Sequence, residues 1–183
     1  GTPTDQLMHD LADALEVEVG FFLPKINRLN EDQFHFRKLL TTKNTIKQVA
    51  IARGEMIDAL IKFLEQELRL PTVNIPSLPQ VHTHDEIERT AEYCRKEWDL
   101  GLGPIGNMTR LAENLGAVVT TFQGISKEID ALSVAVERPF IVRNSAKESA
   151  CRQRFDIAHE LGHLVMHEGI VTGDRVTENQ ANR

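Results

Sequence analysis

Residues 152–169 read RQRFDIAHELGHLVMHEG, and they contain His159, Glu160 and His163 as an H-E-x-x-H pattern. A helix is predicted here from about Lys147 to His167. Residues four apart on a helix project to the same side, so both imidazoles can reach a single Zn²⁺. Glu160 projects beside them, where a carboxylate can take a proton from a water activated by the metal. The pattern therefore predicts a zinc site with a catalytic base.

The remaining residues of this helix predict its packing. Phe155, Ala158, Leu161 and Val165 are apolar and predict a buried face, which would turn the histidines toward a cleft. Gly162 costs about 1 kcal/mol in a helix interior. Its presence between the two histidines therefore predicts the close approach of another backbone.

A third metal ligand is expected downstream, since a catalytic zinc takes three protein ligands and keeps one position open. Glu178 comes fifteen residues after His163, in the sequence T-E-N-Q-A-N. Thr177 is the predicted N-cap of a helix from that residue onward, which puts Glu178 and Asn182 on one face. We expect Glu178 to bind the metal and Asn182 to hydrogen-bond a ligand histidine.

Each of these residues also has a structural interpretation. The two motif histidines can form a polar patch on a packed helix, and Glu160 can pair with Arg152 or Arg154. Glu178 can be an ordinary carboxylate stabilised by a helix N-terminus. His167 continues the histidine spacing but lies about 12 Å along the axis from the first histidine, too far to share its ion. It is predicted to be a cation at the helix C-terminus or a group that contacts a ligand.

The rest of the chain predicts an α+β fold, with a helical N-terminal part and linker followed by a small, about three-stranded β-sheet packed on helices. Helices are expected at 5–15, 43–70, 85–98 and 107–115, and strands at 117–122, 131–136 and 140–144. The second helix would be about 40 Å long, which favours a spacer or a dimerisation rod. Pro71, Pro76 and Pro79 end it and mark a domain boundary.

Composition excludes several classes of protein. The chain has 183 residues and a net charge of −6, so binding of nucleic acid through bulk charge is not expected. Only 5% of its residues are aromatic, so its core is expected to be aliphatic. No apolar run is long enough for a membrane span, and no signal peptide opens the sequence. Two cysteines make no disulfide framework, which favours a reducing cytoplasm.

The two motifs together, R-x-R-F-x-x-A-H-E-L-G-H and E-x-Q-A-N, resemble the ImmA/IrrE family of zinc metallopeptidases. The resemblance extends upstream through WDLGLGPIGN, LAENLGAVV and PFIVRNS, and covers about 85–183. LADALEVEVGFFLPK resembles the final helix of an XRE-type helix-turn-helix domain. FHFRKLLTTKNT and LRLPTVNIP resemble the linker that joins such domains to these peptidases.

The resemblance implies three segments. Residues 1–24 would be the last helix of an XRE-like DNA-binding domain, 25–80 a helical linker, and 81–183 a zincin-like peptidase domain that is incomplete at its C-terminus. The implied function is a cytoplasmic, zinc-dependent endopeptidase that cleaves a regulatory protein, often a DNA-binding repressor. DNA itself would be contacted only through a helix-turn-helix module that this chain lacks.

Two other functions stay open at this level. The chain can be a transcriptional regulator, dimerised through its long helix, whose zinc site is structural or sensory. A fourth protein ligand, such as His167 or a cysteine, would support that alternative. A partner-binding domain with a vestigial site predicts no metal at all. No histidine or tyrosine follows Glu178 to serve as an oxyanion donor, and the strand at 140–144 is the expected place for an extended substrate to pair.

Overall fold

The protein was analysed as a computed structural model that describes residues 3–22, 28–35, 43–78, 81, 83–122, 131–144 and 149–183. The helices are α1 (Asp5–Leu15), α2 (Asn44–Glu67), α3 (His84–Glu97), α4 (Met108–Asn114), α5 (Ala150–Met166) and α6 (Arg175–Ala181). The strands are β1 (Phe34–His35), β2 (Val118–Phe122), β3 (Ala131–Val134) and β4 (Phe140–Asn144). The predicted α+β class is confirmed, and most predicted elements lie within a few residues of their expected bounds.

The sheet has four strands in the order β1-β3-β4-β2. β2 runs parallel to β4, whereas β3 is antiparallel to both β4 and β1. The expectation of about three strands was therefore one too few. β1 is only two residues long and lies in the segment assigned to the linker, so it is too short to produce an alternating pattern in the sequence.

Apolar side chains on one face of the sheet pack against α2. This cluster consists of Phe34, Ala50, Ile61, Leu132, Val134, Phe140 and Val142. The helix therefore forms a layer of the fold on this side, whereas the sequence favoured a spacer or a dimerisation rod. The apolar periodicity of α2 would be the same in a spacer helix and in a helix packed on the sheet, because an apolar face does not identify the surface that covers it.

The opposite face of the sheet carries α4 and α5. Ile141 of β4 packs there with Met108, Ala112, Leu115, Ala117, Ile157, Leu161 and Leu164. Since side chains alternate along a strand, Ser133 of β3 also faces α5, while its neighbours Leu132 and Val134 face α2. The active-site motif thus lies on a helix that is packed directly against the sheet.

Residues 28–35, which precede α2 in the chain, contact α2 directly. Glu55 of α2 accepts a hydrogen bond from the backbone N–H of Leu29 at 3.1 Å and one from Arg28 at 3.4 Å. Phe34 is fully buried, and its ring occupies the space where Gly54 has no side chain. Residues 28–35 therefore belong to the packed structure.

The proline-containing segment also packs against the C-terminal elements. The N–H of Leu78 donates to the carbonyl of Val165 at 2.9 Å, and the N–H of Asn74 donates to the carbonyl of Leu115 at 2.9 Å. Pro79 lies outside the described residues. The predicted domain limits at residues 24 and 80 stay predictions.

α6 begins earlier than expected. Its N-cap is Asp174, whose carboxylate accepts hydrogen bonds from the N–H groups of Val176 and Thr177, so the assignment of Thr177 as N-cap was wrong. The Thr177 hydroxyl instead donates to Asp174 at 2.7 Å. Asp and Thr are both favoured caps, and their spacing in the sequence does not decide between them. No helix in the described residues is long and apolar enough to cross a membrane.

Candidate metal centre

Helices α5 and α6 bring three potential metal ligands together. His159 Nε2 lies 3.1 Å from His163 Nε2, and the Glu178 carboxylate oxygens lie 3.4 Å and 3.5 Å from those two nitrogens. All three residues are buried. The three residues that the sequence singled out thus meet at one point, although α5 and α6 are separate in the chain.

These distances fit a zinc ion. Zinc bonds of about 2.0–2.2 Å in a tetrahedron separate neighbouring ligand atoms by about 3.4 Å. The two histidine nitrogens lie 3.1 Å apart, one Glu178 oxygen lies 3.4 Å from His159 Nε2, and the other oxygen lies 3.5 Å from His163 Nε2. Two imidazoles and one carboxylate are also a known ligand set for catalytic zinc.

A row of hydrogen bonds determines which nitrogen of His163 carries the proton. Gln180 Nε2 donates to the carbonyl of Val81 at 2.7 Å, so the Gln180 oxygen must face His167 Nε2, 2.8 Å away. That oxygen only accepts, and His167 Nε2 is therefore protonated. His167 Nδ1 then accepts from Nδ1 of His163 at 2.9 Å. The row leaves the lone pair of His163 on Nε2, the atom that faces Glu178.

The surroundings of His163 and Glu178 favour the states that bind a cation. It lowers the pKa of His163 to about 4, so the ring is neutral at pH 7. Burial opposes ionisation of Glu178, but its contacts with His159 and His163 outweigh that effect and lower its pKa to about 2. A neutral imidazole and an ionised carboxylate are the forms that coordinate a metal.

Glu160 is enclosed between α5 and the sheet. Its side chain is 2% exposed, and Ser133 of β3 donates a hydrogen bond to its Oε2 at 2.7 Å. Burial raises the pKa of Glu160 to about 8, while His159 and the Ser133 hydrogen bond favour the ionised form. This environment is typical of a carboxylate that exchanges protons during a reaction.

The two arginines that could have paired with Glu160 make other contacts within the described residues. Arg152 pairs with Asp156 at 3.1 Å, and Arg154 donates to the carbonyls of Ile105 and Gly106. Ser133 was missed in the sequence because the contact depends on the register between strands. A serine in an otherwise apolar strand is the only local signal.

His35 of β1 is the second residue that the sequence analysis missed. It is fully buried, its ring stacks on the ring of His163 with 5.5 Å between centroids and 9° between planes, and its Nδ1 lies 3.3 Å from the Thr172 hydroxyl. Burial, followed by the proximity of His163 and His167, lowers its pKa to about 3. The stretch containing His35 was assigned to a linker, so nothing in the sequence placed it near the motif.

The predicted buried face of α5 was partly wrong. Phe155 is 42% exposed and Ala158 is exposed, whereas both motif histidines are buried. The reason is that the sheet covers the side of α5 that carries Glu160. Of the two roles predicted for His167, contact with a ligand is the one observed, because its ring contacts His163 and burial lowers its pKa.

Two further predictions concern the surroundings of α6. The backbone of Ala181 does lie beside Gly162, but a Cβ there would sit 3.5 Å from the Ala181 oxygen, an ordinary contact. Asn182 is the C-cap of α6, and its Oδ1 is buried without a hydrogen-bond partner among the described residues. Gln180, rather than Asn182, is linked to a ligand histidine in the described structure. The role assigned to Asn182 stays a prediction.

An apolar groove of about 350 Å³ opens beside His159, between α3, α4, α5 and α6. Trp98, Met108, Phe155 and Ala158 are among its lining residues. The exposed side of α5 therefore faces this groove, which has room for an apolar side chain.

An H-E-x-x-H helix under a small sheet, with a carboxylate from the next helix beside both histidines, defines a domain of the metallopeptidase type. Residues 112–183 match the peptidase family described as IrrE N-terminal-like domain. The resemblance to ImmA/IrrE proteins is confirmed there. The XRE-like segment lies outside the match and stays a prediction. No significant match was found among curated proteins or among solved structures.

Proposed function

We propose that the protein is a zinc-dependent endopeptidase in which His159, His163 and Glu178 hold the metal and Glu160 is the general base. The observation that carries this proposal is that the Nε2 atoms of His159 and His163 lie 3.1 Å apart, with a Glu178 carboxylate oxygen 3.4 Å from the first and the other oxygen 3.5 Å from the second. The family match supports peptidase chemistry in the same residues.

In the proposed hydrolysis, each residue of the site has a distinct role. Zinc, when bound, supplies Lewis acidity that activates water and polarises the scissile carbonyl. Glu160 accepts the proton of the attacking water and delivers it to the leaving amine. Ser133 holds Oε2 of that carboxylate, which leaves Oε1 for the proton transfer. The row from Gln180 to His163 fixes the orientation of a ligand ring.

The substrate is proposed to be a protein or peptide with an apolar residue near the cleaved bond. The groove beside His159 supports this, since its lining is mainly apolar. Pairing of the substrate with β4, expected from the sequence, is excluded because β4 already pairs with β2 and β3. An extended substrate would instead need an edge strand of the sheet. We propose a regulatory DNA-binding protein as the substrate on the basis of the family resemblance. Action in the cytoplasm is proposed from the same resemblance and from the two free cysteines.

The alternative of a regulator with a structural zinc site is less well supported. It requires a fourth protein ligand, and His167 was the leading candidate. Both nitrogens of His167 are engaged by His163 and Gln180, and the described residues contain no cysteine in the ligand group. Three ligands leave a position open, which favours hydrolysis.

The test is Glu160→Gln, which removes the base and keeps the shape of the side chain. We expect zinc content to stay the same, while cleavage of a mixed peptide library, followed by mass spectrometry, falls about 100-fold or more. Glu168→Gln is the matched control, since Glu168 is an exposed glutamate just beyond the same helix. Equal cleavage by Glu160→Gln and the parent, or no cleavage by zinc-loaded parent, would contradict the proposal.

A further inference from the structure

His35 connects the N-terminal half of the chain to the proposed metal site. β1 pairs with β3 so that His35 lies directly opposite Ser133. Cross-strand partners project to the same face of a sheet, here the face that packs on α5. Ser133 contacts Glu160 and His35 stacks on His163, so this one pair contacts two of the three functional residues of the motif.

The position of His35 is also held from two other directions. Its Nδ1 lies 3.3 Å from the hydroxyl of Thr172, which is itself fully buried. The preceding residue, Phe34, enters the cluster on the opposite face of the sheet and is fully buried. The imidazole is therefore fixed by its strand, by Thr172 and by the ring of His163.

The second nitrogen of His35 shows that packing alone does not explain the residue. Its Nε2 is buried and has no hydrogen-bond partner among the described residues. A buried ring nitrogen without a partner costs free energy, and an apolar side chain of similar size would avoid that cost. Such an arrangement is typical of a residue kept for a functional site.

We propose that His35 is a positioning residue of the metal site, whose stacked ring holds His163 in the orientation that presents Nε2 to the metal. This inference rests on the proposed function. It also assigns residues 28–35, which lie outside the family match, to the same site as the H-E-x-x-H motif. The site is then built by both halves of the chain.

The experiment uses the full chain and Co²⁺, whose visible absorption reports ligand geometry directly. Co²⁺ affinity is measured by competition with a chelator, and thermal unfolding is measured on the same proteins without metal. Two variants are compared: His35→Leu removes the ring, and His35→Phe keeps a ring that can stack on His163. We expect His35→Leu to weaken Co²⁺ binding about tenfold or more and to change the spectrum, and His35→Phe to lose less.

Stability without metal separates this role from a purely structural one. Both variants remove the unpartnered nitrogen and also the contact with Thr172, so their metal-free unfolding temperatures are expected to be similar to each other, and a difference in Co²⁺ binding between them is then due to the stacked ring. Ile61→Ala is the control, in the same apolar cluster but on α2: it should lower that temperature and leave the Co²⁺ spectrum unchanged.

Each outcome is decisive. Parent-like affinity and spectrum in His35→Leu would overturn the role of His35 and leave the proposed function intact. A loss of affinity that merely follows a loss of metal-free stability would overturn it as well. A parent protein that binds no Co²⁺ or Zn²⁺ would overturn the proposed function itself.

Discussion

At the scale of single residues, Gln180 determines which nitrogen of His163 is protonated, although the two side chains are linked only through His167. Its side chain fixes the proton of His167, and His167 in turn leaves the lone pair of His163 on Nε2. Hydrogen bonds of this kind orient metal ligands and affect affinity strongly.

Gln180→Leu is therefore expected to weaken zinc binding about 10- to 100-fold, measured by competition with a chelator. Gln180→Glu keeps an oxygen that accepts from His167 Nε2, so it should retain much of the affinity. Equal affinity in the parent and Gln180→Leu would show that the row does not orient His163.

The sequence predicts some of these residues and misses others for a physical reason. The spacing of His159, Glu160 and His163 is a property of one helix, so it can be recognised locally. His35 and Ser133 reach the site through the pairing of β1 with β3, and register between strands is not encoded in either strand alone.

At the scale of elements, two helix glycines are expected to respond differently to the same change. A Cβ on Gly54 of α2 would lie 2.6 Å from the fully buried ring of Phe34, whereas one on Gly162 of α5 would make an ordinary contact at 3.5 Å. Alanine gains about 1 kcal/mol over glycine in a helix, and overpacking costs about 1–3 kcal/mol.

We expect Gly54→Ala to lower the free energy of unfolding, measured in urea, by up to about 2 kcal/mol. Gly162→Ala is the matched control and should be neutral or stabilising. A stabilised Gly54→Ala would contradict the close packing of α2 on β1.

The N-cap of α6 gives a prediction that depends on pH. Hydrogen bonds from Thr177 and from backbone N–H groups lower the pKa of Asp174. A carboxyl with a lowered pKa contributes stability above its unfolded-state pKa of about 4, and that contribution is lost as the pH falls through the folded-state value.

Asp174→Ala should therefore cost about 0.5–2 kcal/mol near pH 7, and its difference from the parent should shrink below about pH 4. Urea unfolding at several pH values measures this. Asp174→Asn keeps a good cap without the charge and should show a smaller pH dependence. A difference that does not change with pH would contradict the ionic contribution of Asp174.

The positions of the helices and strands were largely predictable from the sequence, but the surfaces that they pack against were not. α2 was expected from its apolar periodicity, but only the structure shows that the sheet covers that face. A second apolar face of α2 is exposed and carries Val49, Met56, Leu60 and Phe63. The expected homodimer through this helix stays a prediction, and it now applies to that exposed face.

At the scale of the whole molecule, the apolar clusters are separate from the metal ligands. One cluster joins α2 to the sheet and another joins α4 and α5 to it. The fold is therefore expected to persist without metal, and bound zinc should add stability by mass action.

Removal of zinc with a chelator should leave the far-ultraviolet circular dichroism largely unchanged and lower Tm. Free zinc at 1,000 times Kd contributes about 4 kcal/mol, or roughly 10 °C for a chain of this size. Complete unfolding on chelation would show that the apolar clusters do not sustain the fold.

Zinc per chain is the most direct test of the central claim, measured by elemental analysis on protein purified without chelators or a histidine tag. The account predicts about one zinc per chain in the parent and none in His163→Ala, which lacks one of the three proposed ligands. A parent without zinc after the metal is added back, or a His163→Ala variant that keeps it, would contradict the proposed site.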